Sequence, residues 1–323
     1  EIALSPEHPA LADKKAVNLG MAAANLYETT PLAHKAIDQN PHLKTLIFGV
    51  EAGDLHNDFD SRKVTGYYQS PLYHGSSKIE LSVSYIFGAS AFNDSIATLQ
   101  RAIQKTAPKR NEHGLWTQPK DPPNIKRYME RLFSEGFIQS FRQWESSSED
   151  FRPAKAELLK KVIQRCQSEG IQLFIVIPAQ HALKLTHPTE NEPEHLPWED
   201  DLKKLISICH EANQQQPEAP EVELWDFSIF SPWSTEPLPS GDEAVQRMEN
   251  WYDLGHARVS LGDEILNTLF FGKTSTGDSL GVNLLNVEWT AFKGEWLRRH
   301  AGYIESHNAD VGWWRDRINA SRE

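Results

Sequence analysis

The run Ile-Gln-Leu-Phe-Ile-Val-Ile at 171–177 constrains the fold more than any other stretch of the chain. A strand covered on one face alternates apolar and polar residues. A strand that is apolar at nearly every position needs cover on both faces, the condition met inside a parallel sheet sandwiched by helices. The preceding residues, 153–168, read as an amphipathic helix with Leu158, Leu159, Val162, Ile163 and Cys166 at helical spacing. Pro153 suits its first turn and Gly170 its end. A helix feeding a doubly covered strand is half of a parallel crossover unit.

The same alternation recurs along the chain. Residues 15–19 read as a short strand that Gly20 ends before a helical run, 22–39, and 43–50 read as an apolar strand followed by a polar loop, 51–73. Helices are expected at 77–106 and 125–144 with a Pro-rich excursion at 107–124 between them, and again at 198–213. Residues 221–226 form a strand ending in Asp226, a Pro/Ser-rich loop runs over 227–247, the amphipathic segment 261–271 follows, and 283–317 reads as a helical tail. Strands separated by helices of this length predict an α/β fold with a doubly wound parallel sheet. Ligands in such sheets sit beyond the carboxyl ends of the strands, where Gly20, Glu51, His181, Asp226, Asp253 and His256 are expected to gather.

Charge narrows the function. Of 323 residues, 33 are Lys or Arg and 45 Asp or Glu, giving a formal net charge of −12. That surface repels a nucleic-acid backbone, so no nucleic-acid partner is expected. The apolar runs fall short of the ~20 residues that span a bilayer. Cys166 and Cys209 flank one strand on predicted helices, which leaves open a disulfide or two buried thiols.

The chemistry-bearing segment is Asn250-Trp251-Tyr252-Asp253-Leu254-Gly255-His256. An acid three residues before a histidine, on a loop entering a helix, supplies the orienting carboxylate and general base of a hydrolytic triad. The alternative has Asp253 capping the helix and His256 at the surface. His181 reads either as a second imidazole at the site or as a satisfied residue following its strand, and Asp226 as site-lining or as a turn cap. Glu51, Asp54, His56, His181 and His256 offer oxygen and nitrogen donors, but their spacing specifies no ion, and no metal or cofactor is expected.

A succession of short blocks then carries a family resemblance: Asn18-Leu19-Gly20 with Glu28; Leu46-Ile47-Phe48-Gly49-Val50-Glu51; Ile175-Val176-Ile177-Pro178-Ala179-Gln180-His181-Ala182; Leu224-Trp225-Asp226-Phe227; Tyr252-Asp253 to His256; Gly262-Asp263; and Gly281-Val282. In order and spacing they resemble the bacterial SGNH (GDSL-like) hydrolase-like envelope proteins. The resemblance implies a flavodoxin-like three-layer fold over 1–276 with a helical insertion at about 77–150, and a helical extension, 277–323, packed on it. It further implies a serine nucleophile after the first strand, Gly20 in the oxyanion hole, Asp253 as orienting acid and His256 as general base. The implied activity is ester hydrolysis or O-acyl transfer on acyl (acetyl) groups of an envelope or extracellular polysaccharide, in the periplasm or envelope. Acylated glycans or small esters are then the partners, with any membrane contact through a segment outside this chain.

Two departures stand against that pattern. No Gly-Asp-Ser segment is present, so the first strand and the nucleophile are expected ahead of Glu1, and Ser5, followed by Pro6, reads as a turn residue. Glu51 stands where relatives carry an oxyanion-binding Asn, and an ionised carboxylate donates no hydrogen bond. Enzyme and non-catalytic glycan- or partner-binding scaffold therefore both remain open at the level of sequence.

Overall fold

The computed structural model describes residues 3–20, 24–55, 113–115, 153–186, 194–196, 198–239, 248–278 and 280–320. The helices expected at 77–106 and 125–144, most of the 77–150 insertion, and the loop from His56 onward lie outside the described residues.

The architecture is α/β. Among the described residues four strands, β1 (Thr45–Gly49), β2 (Gln172–Ile177), β3 (Glu223–Asp226) and β4 (Val282–Asn283), lie side by side in chain order. The first three are parallel, with Thr45 opposite Gln172 and Phe174 opposite Glu223. β4 runs antiparallel to β3, which corrects the expectation of a wholly parallel sheet. Two residues are too few to show a period, so nothing in 281–284 announces a strand. Tertiary contact makes it one: the amide of Leu284 donates to the Leu224 carbonyl at 2.8 Å. Gly281 turns the chain into β4 at φ 81°, and a side chain there would strike the Phe227 ring.

Leu173, Phe174, Ile175, Val176 and Ile177 are all buried, so β2 is covered on both faces as its composition requires. Helix α1 (Leu26–Gln39) packs on α2 (Pro153–Ser168), and α2 packs in turn on β2. Ala156, Leu159, Val162, Ile163 and Cys166 form the buried stripe of α2, and Lys155 extends it. The short α3 (Ala182–Thr186) follows β2, and α4 (Glu199–Gln215) packs on α2 and β3. Helix α5 (Val259–Phe271) brings Phe270 edge-on to Phe174, with ring centroids 5.7 Å apart.

Two further expectations change. Residues 15–20 form no strand: Val17 and Leu19 are exposed, and the Asn18 amide donates to the His113 carbonyl rather than to a sheet neighbour. Helix α1 begins at Leu26, where the Asn25 side chain accepts from the Tyr27 amide as a cap, and the expected start at residue 22 lies outside the described residues. The tail is two helices, α6 (Trp289–Ser306) and α7 (Asn308–Ala320), divided at His307. They rest on α3 and on the loop after β3, where Phe230 meets Trp296 at 4.9 Å.

Cys166 and Cys209 are free and buried, and burial pushes both thiols up to about 12. Among the described residues no helix is long and apolar enough to cross a membrane.

Candidate active site

The segment 250–258 folds into a tight hairpin. Trp251 and Ala257 form an antiparallel bridge, the Tyr252 amide donates to the His256 carbonyl at 2.8 Å, and the Arg258 amide donates to the Asn250 carbonyl at 2.8 Å. Trp251 anchors it, fully buried, with its indole N–H donating to the Trp233 carbonyl at 2.7 Å. The Arg258 guanidinium covers the Tyr252 ring at 4.2 Å and its Nε donates to the Trp251 carbonyl.

At the tip, one carboxylate organises everything. Asp253 Oδ1 accepts the amides of Gly255 and His256 at 2.8 and 2.9 Å, closing the turn. His256 Nδ1 lies 2.9 Å from Oδ1 and 2.8 Å from Oδ2. Since an ionised carboxylate only accepts, the proton of this bond sits on Nδ1, and the tautomer that results carries its lone pair on Nε2. Burial alone would push the Asp253 pKa up, but the His256 hydrogen bond and charge and the two amides outweigh it and hold it below the ordinary value. The imidazole is 61 % exposed while the Asp253 side chain is 10 % exposed, so the pair presents a ring to solvent on an enclosed anchor.

His181 leaves the end of β2 and holds this hairpin in place. Its amide donates to the Leu254 carbonyl at 3.2 Å. Its Nδ1 accepts from the Leu183 amide, which makes Nε2 the protonated nitrogen, and Nε2–H donates to the Glu236 carbonyl at 2.8 Å. The Glu236 carboxylate in turn accepts the amides of Glu249 and Asn250, where the hairpin begins. Burial dominates the His181 environment and pushes its pKa down to about 4, so the ring is neutral with both nitrogens engaged. Lys184 approaches the same turn: its Nζ lies 3.7 Å from the point a side chain on Gly255 would occupy.

Asp226 ends β3 fully enclosed. Its Oδ1 accepts from the Ser228 amide at 2.8 Å and the Ser228 hydroxyl at 2.6 Å, and burial, only partly offset by these bonds, pushes its pKa up to about 6. Glu51 is exposed just past β1, its carbonyl accepting from the Asp54 amide at 3.0 Å. Gly20 sits in an Asn18 turn, its amide donating to Asn18 Oδ1 at 2.8 Å, while Asn18 Nδ2 donates to the Leu4 carbonyl. The neighbouring Ala3 carbonyl packs onto Gly262, where any side chain would clash with it, so Gly20 is linked through 3–4 to the helix that follows His256. Ser5 Oγ accepts from the Glu7 amide.

The structure therefore joins Asp253 to His256 and both to the His181 segment. Asp226 lies beside Ile177 at the same sheet edge. Among the described residues no three of His, Cys, Asp and Glu come together as a metal-binding group, and His56 lies outside them.

One buried pair escaped sequence reasoning. Lys155 Nζ lies 3.7 Å from Asp54 Oδ1 with both side chains enclosed, and the Tyr27 ring faces the ammonium at 5.4 Å. The signal was present: Lys155 precedes Leu159 and Val162 by four and seven residues, on the apolar stripe of its helix.

Comparison with family models, with curated proteins and with solved structures finds no match.

Proposed function

We propose that this chain carries the acid–imidazole half of a serine-type acyl-transfer site on a flavodoxin-like, three-layer scaffold of the SGNH kind. The proposed activity is ester hydrolysis or O-acyl transfer on acyl groups, acetyl in the first instance, of an envelope or extracellular polysaccharide. The observation that carries it is the Asp253–His256 pair: a carboxylate kept ionised, chelating Nδ1 of an exposed imidazole.

The chemistry follows from that tautomer. Nε2 takes the proton of a serine hydroxyl as its oxygen attacks the ester carbonyl, and Asp253 stabilises the imidazolium that forms. The same proton then passes to the departing sugar oxygen as the ester C–O bond breaks, leaving an acyl-serine. Water or an acceptor hydroxyl repeats the cycle, which needs no metal or cofactor. On the resemblance, the setting is the periplasm or envelope.

A second reading, a non-catalytic scaffold that binds glycan or an assembly partner, draws on two specific observations. The Gly20 amide, the expected oxyanion donor, already donates to Asn18. On the resemblance, Glu51 stands at the position of an oxyanion-binding Asn, and an ionised carboxylate donates no hydrogen bond there.

The deciding assay is release of p-nitrophenol from p-nitrophenyl acetate, using the protein with whatever residues its gene encodes ahead of Glu1. His256→Ala should lower the rate ~100-fold or more if the imidazole is the base. Equal rates in the two proteins remove His256 from the mechanism. Absence of turnover together with tryptophan fluorescence that responds to oligosaccharides supports the scaffold.

A further inference from the structure

We propose that the ammonium of Lys184 binds an anionic group of the sugar, which makes the substrate an O-acylated acidic glycan. The inference rests on the acyl-transfer reading for the side of the imidazole on which the sugar lies.

Helix α3 has five residues, and four of them, Ala182, Leu183, Leu185 and Thr186, are buried. Lys184 is the fifth and is half-buried, so it is where this helix meets the surface. Its backbone is fixed at the hairpin. The Lys184 amide donates to the His181 carbonyl at 2.9 Å, and the His181 amide donates to the Leu254 carbonyl.

Its side chain ends at the same turn. A side chain on Gly255 would meet Lys184 Nζ and Asp253 Oδ1, each at 3.7 Å. That same Asp253 oxygen lies 2.9 Å from Nδ1 of His256. Gly255 is exposed and directly precedes His256, so an ammonium and the exposed imidazole flank one bare stretch of backbone.

The reaction decides what this ammonium reads. Nε2 passes its proton to the departing sugar oxygen, so the sugar lies against the imidazole, and a group flanking the imidazole meets the sugar rather than the acyl chain. An ammonium only donates, so its partner is an oxygen acceptor. A charged acceptor makes the stronger bond. On a glycan that oxygen belongs to a uronate carboxylate or to a sulfate or phosphate ester. The sign also runs against the rest of the molecule: a chain of formal net charge −12 repels an anionic polymer, and a cation at the dyad supplies the local attraction that engagement requires.

The test is calorimetric titration of wild type, Lys184→Gln and Lys184→Arg with trigalacturonate, sulfated maltotriose and maltotriose. Loss of one charge-assisted bond predicts that affinity for the acidic sugar falls about tenfold in Lys184→Gln, while affinity for maltotriose stays within about twofold. Lys184→Arg keeps the charge and should keep most of the affinity. The acidic sugar that wild type binds more tightly identifies the anion as carboxylate or sulfate. The proposal is overturned if wild type binds neither acidic sugar more tightly than maltotriose, or if Lys184→Arg binds as weakly as Lys184→Gln. An equal loss for all three ligands in Lys184→Gln also overturns it, by showing a structural role. None of the ligands carries an ester, so the result stands apart from turnover. Charge selectivity through Lys184 in a protein that cleaves no acetylated sugar sinks the acyl-transfer reading alone, and ester turnover without charge selectivity sinks the role of Lys184 alone.

Discussion

Asp253 and Asp54 lie in loops beyond the carboxyl ends of strands and are equally enclosed, each 7 % exposed, yet their carboxyl groups go opposite ways. Asp253 is held below its ordinary pKa, whereas burial pushes Asp54 up to about 7. The difference lies in the donors. Asp253 receives two backbone amides and an imidazole at 2.8–2.9 Å, all from its own four-residue turn. Asp54 relies on a lysine 3.7 Å away and the Leu26 amide, and feels the like charge of Glu51. Depth does not decide whether a carboxylate stays ionised. The number and closeness of the hydrogen bonds to it do. One aspartate fixes the orientation of an imidazole, and the other ties α1, the β1 loop and α2 together.

The largest effect that bears on this contrast belongs to the buried pair. Lys155→Met should cost about 3–5 kcal/mol at pH 8 by urea denaturation, because it strands an enclosed carboxylate, and adding Asp54→Leu should restore most of it. The loss should shrink at pH 5, where Asp54 is protonated in the fold. A double variant no more stable than the single one breaks the contrast.

His181 comes next. Its folded pKa of about 4 lies below the ordinary 6.5, so the unfolded chain binds its proton first as pH falls. Stability from the neutral ring is present above pH 6.5 and is lost on going down to about 4, amounting to about 3 kcal/mol. Asp226 and Asp54, both raised, contribute with the opposite sign over overlapping ranges, so the measurement is the gap between wild type and His181→Gln at pH 7, 5.5 and 4.5. A pH-independent gap shows that His181 is not held neutral.

Asp253→Ala orphans two amides and should lower stability by about 1–3 kcal/mol. The wild-type share from this carboxylate is present above the ordinary carboxylate range and disappears as pH falls through its depressed folded value. The smallest change in stability is expected for His256→Ala, within about 0.5 kcal/mol, since the ring is mostly exposed. Near-native stability alongside a large loss of ester turnover would separate orienting chemistry from structural support most cleanly.

Local pattern made much of this legible. The bounds of α2, the buried β2 run and the helix after His256 follow from spacing and capping residues that act within a few positions. The Asp253–His256 turn was legible for the same reason, because its hydrogen bonds close within four residues. The 15–19 segment misled because alternation in five residues does not say whether a neighbouring strand exists, and here a loop carbonyl takes the bond instead. β4 was invisible for the converse reason, since β3 alone makes it a strand.

What the sequence determined by itself is the α/β alternation, the doubly covered central strand and the acid–imidazole turn, all set by interactions within one element or one turn. Only the tertiary structure decided that His181 braces the hairpin, that Lys155 meets Asp54, and that the Lys184 ammonium lies beside Gly255. Whether a polar atom is satisfied depends on which distant segment covers it, and covering is a property of packing rather than of spacing along the chain.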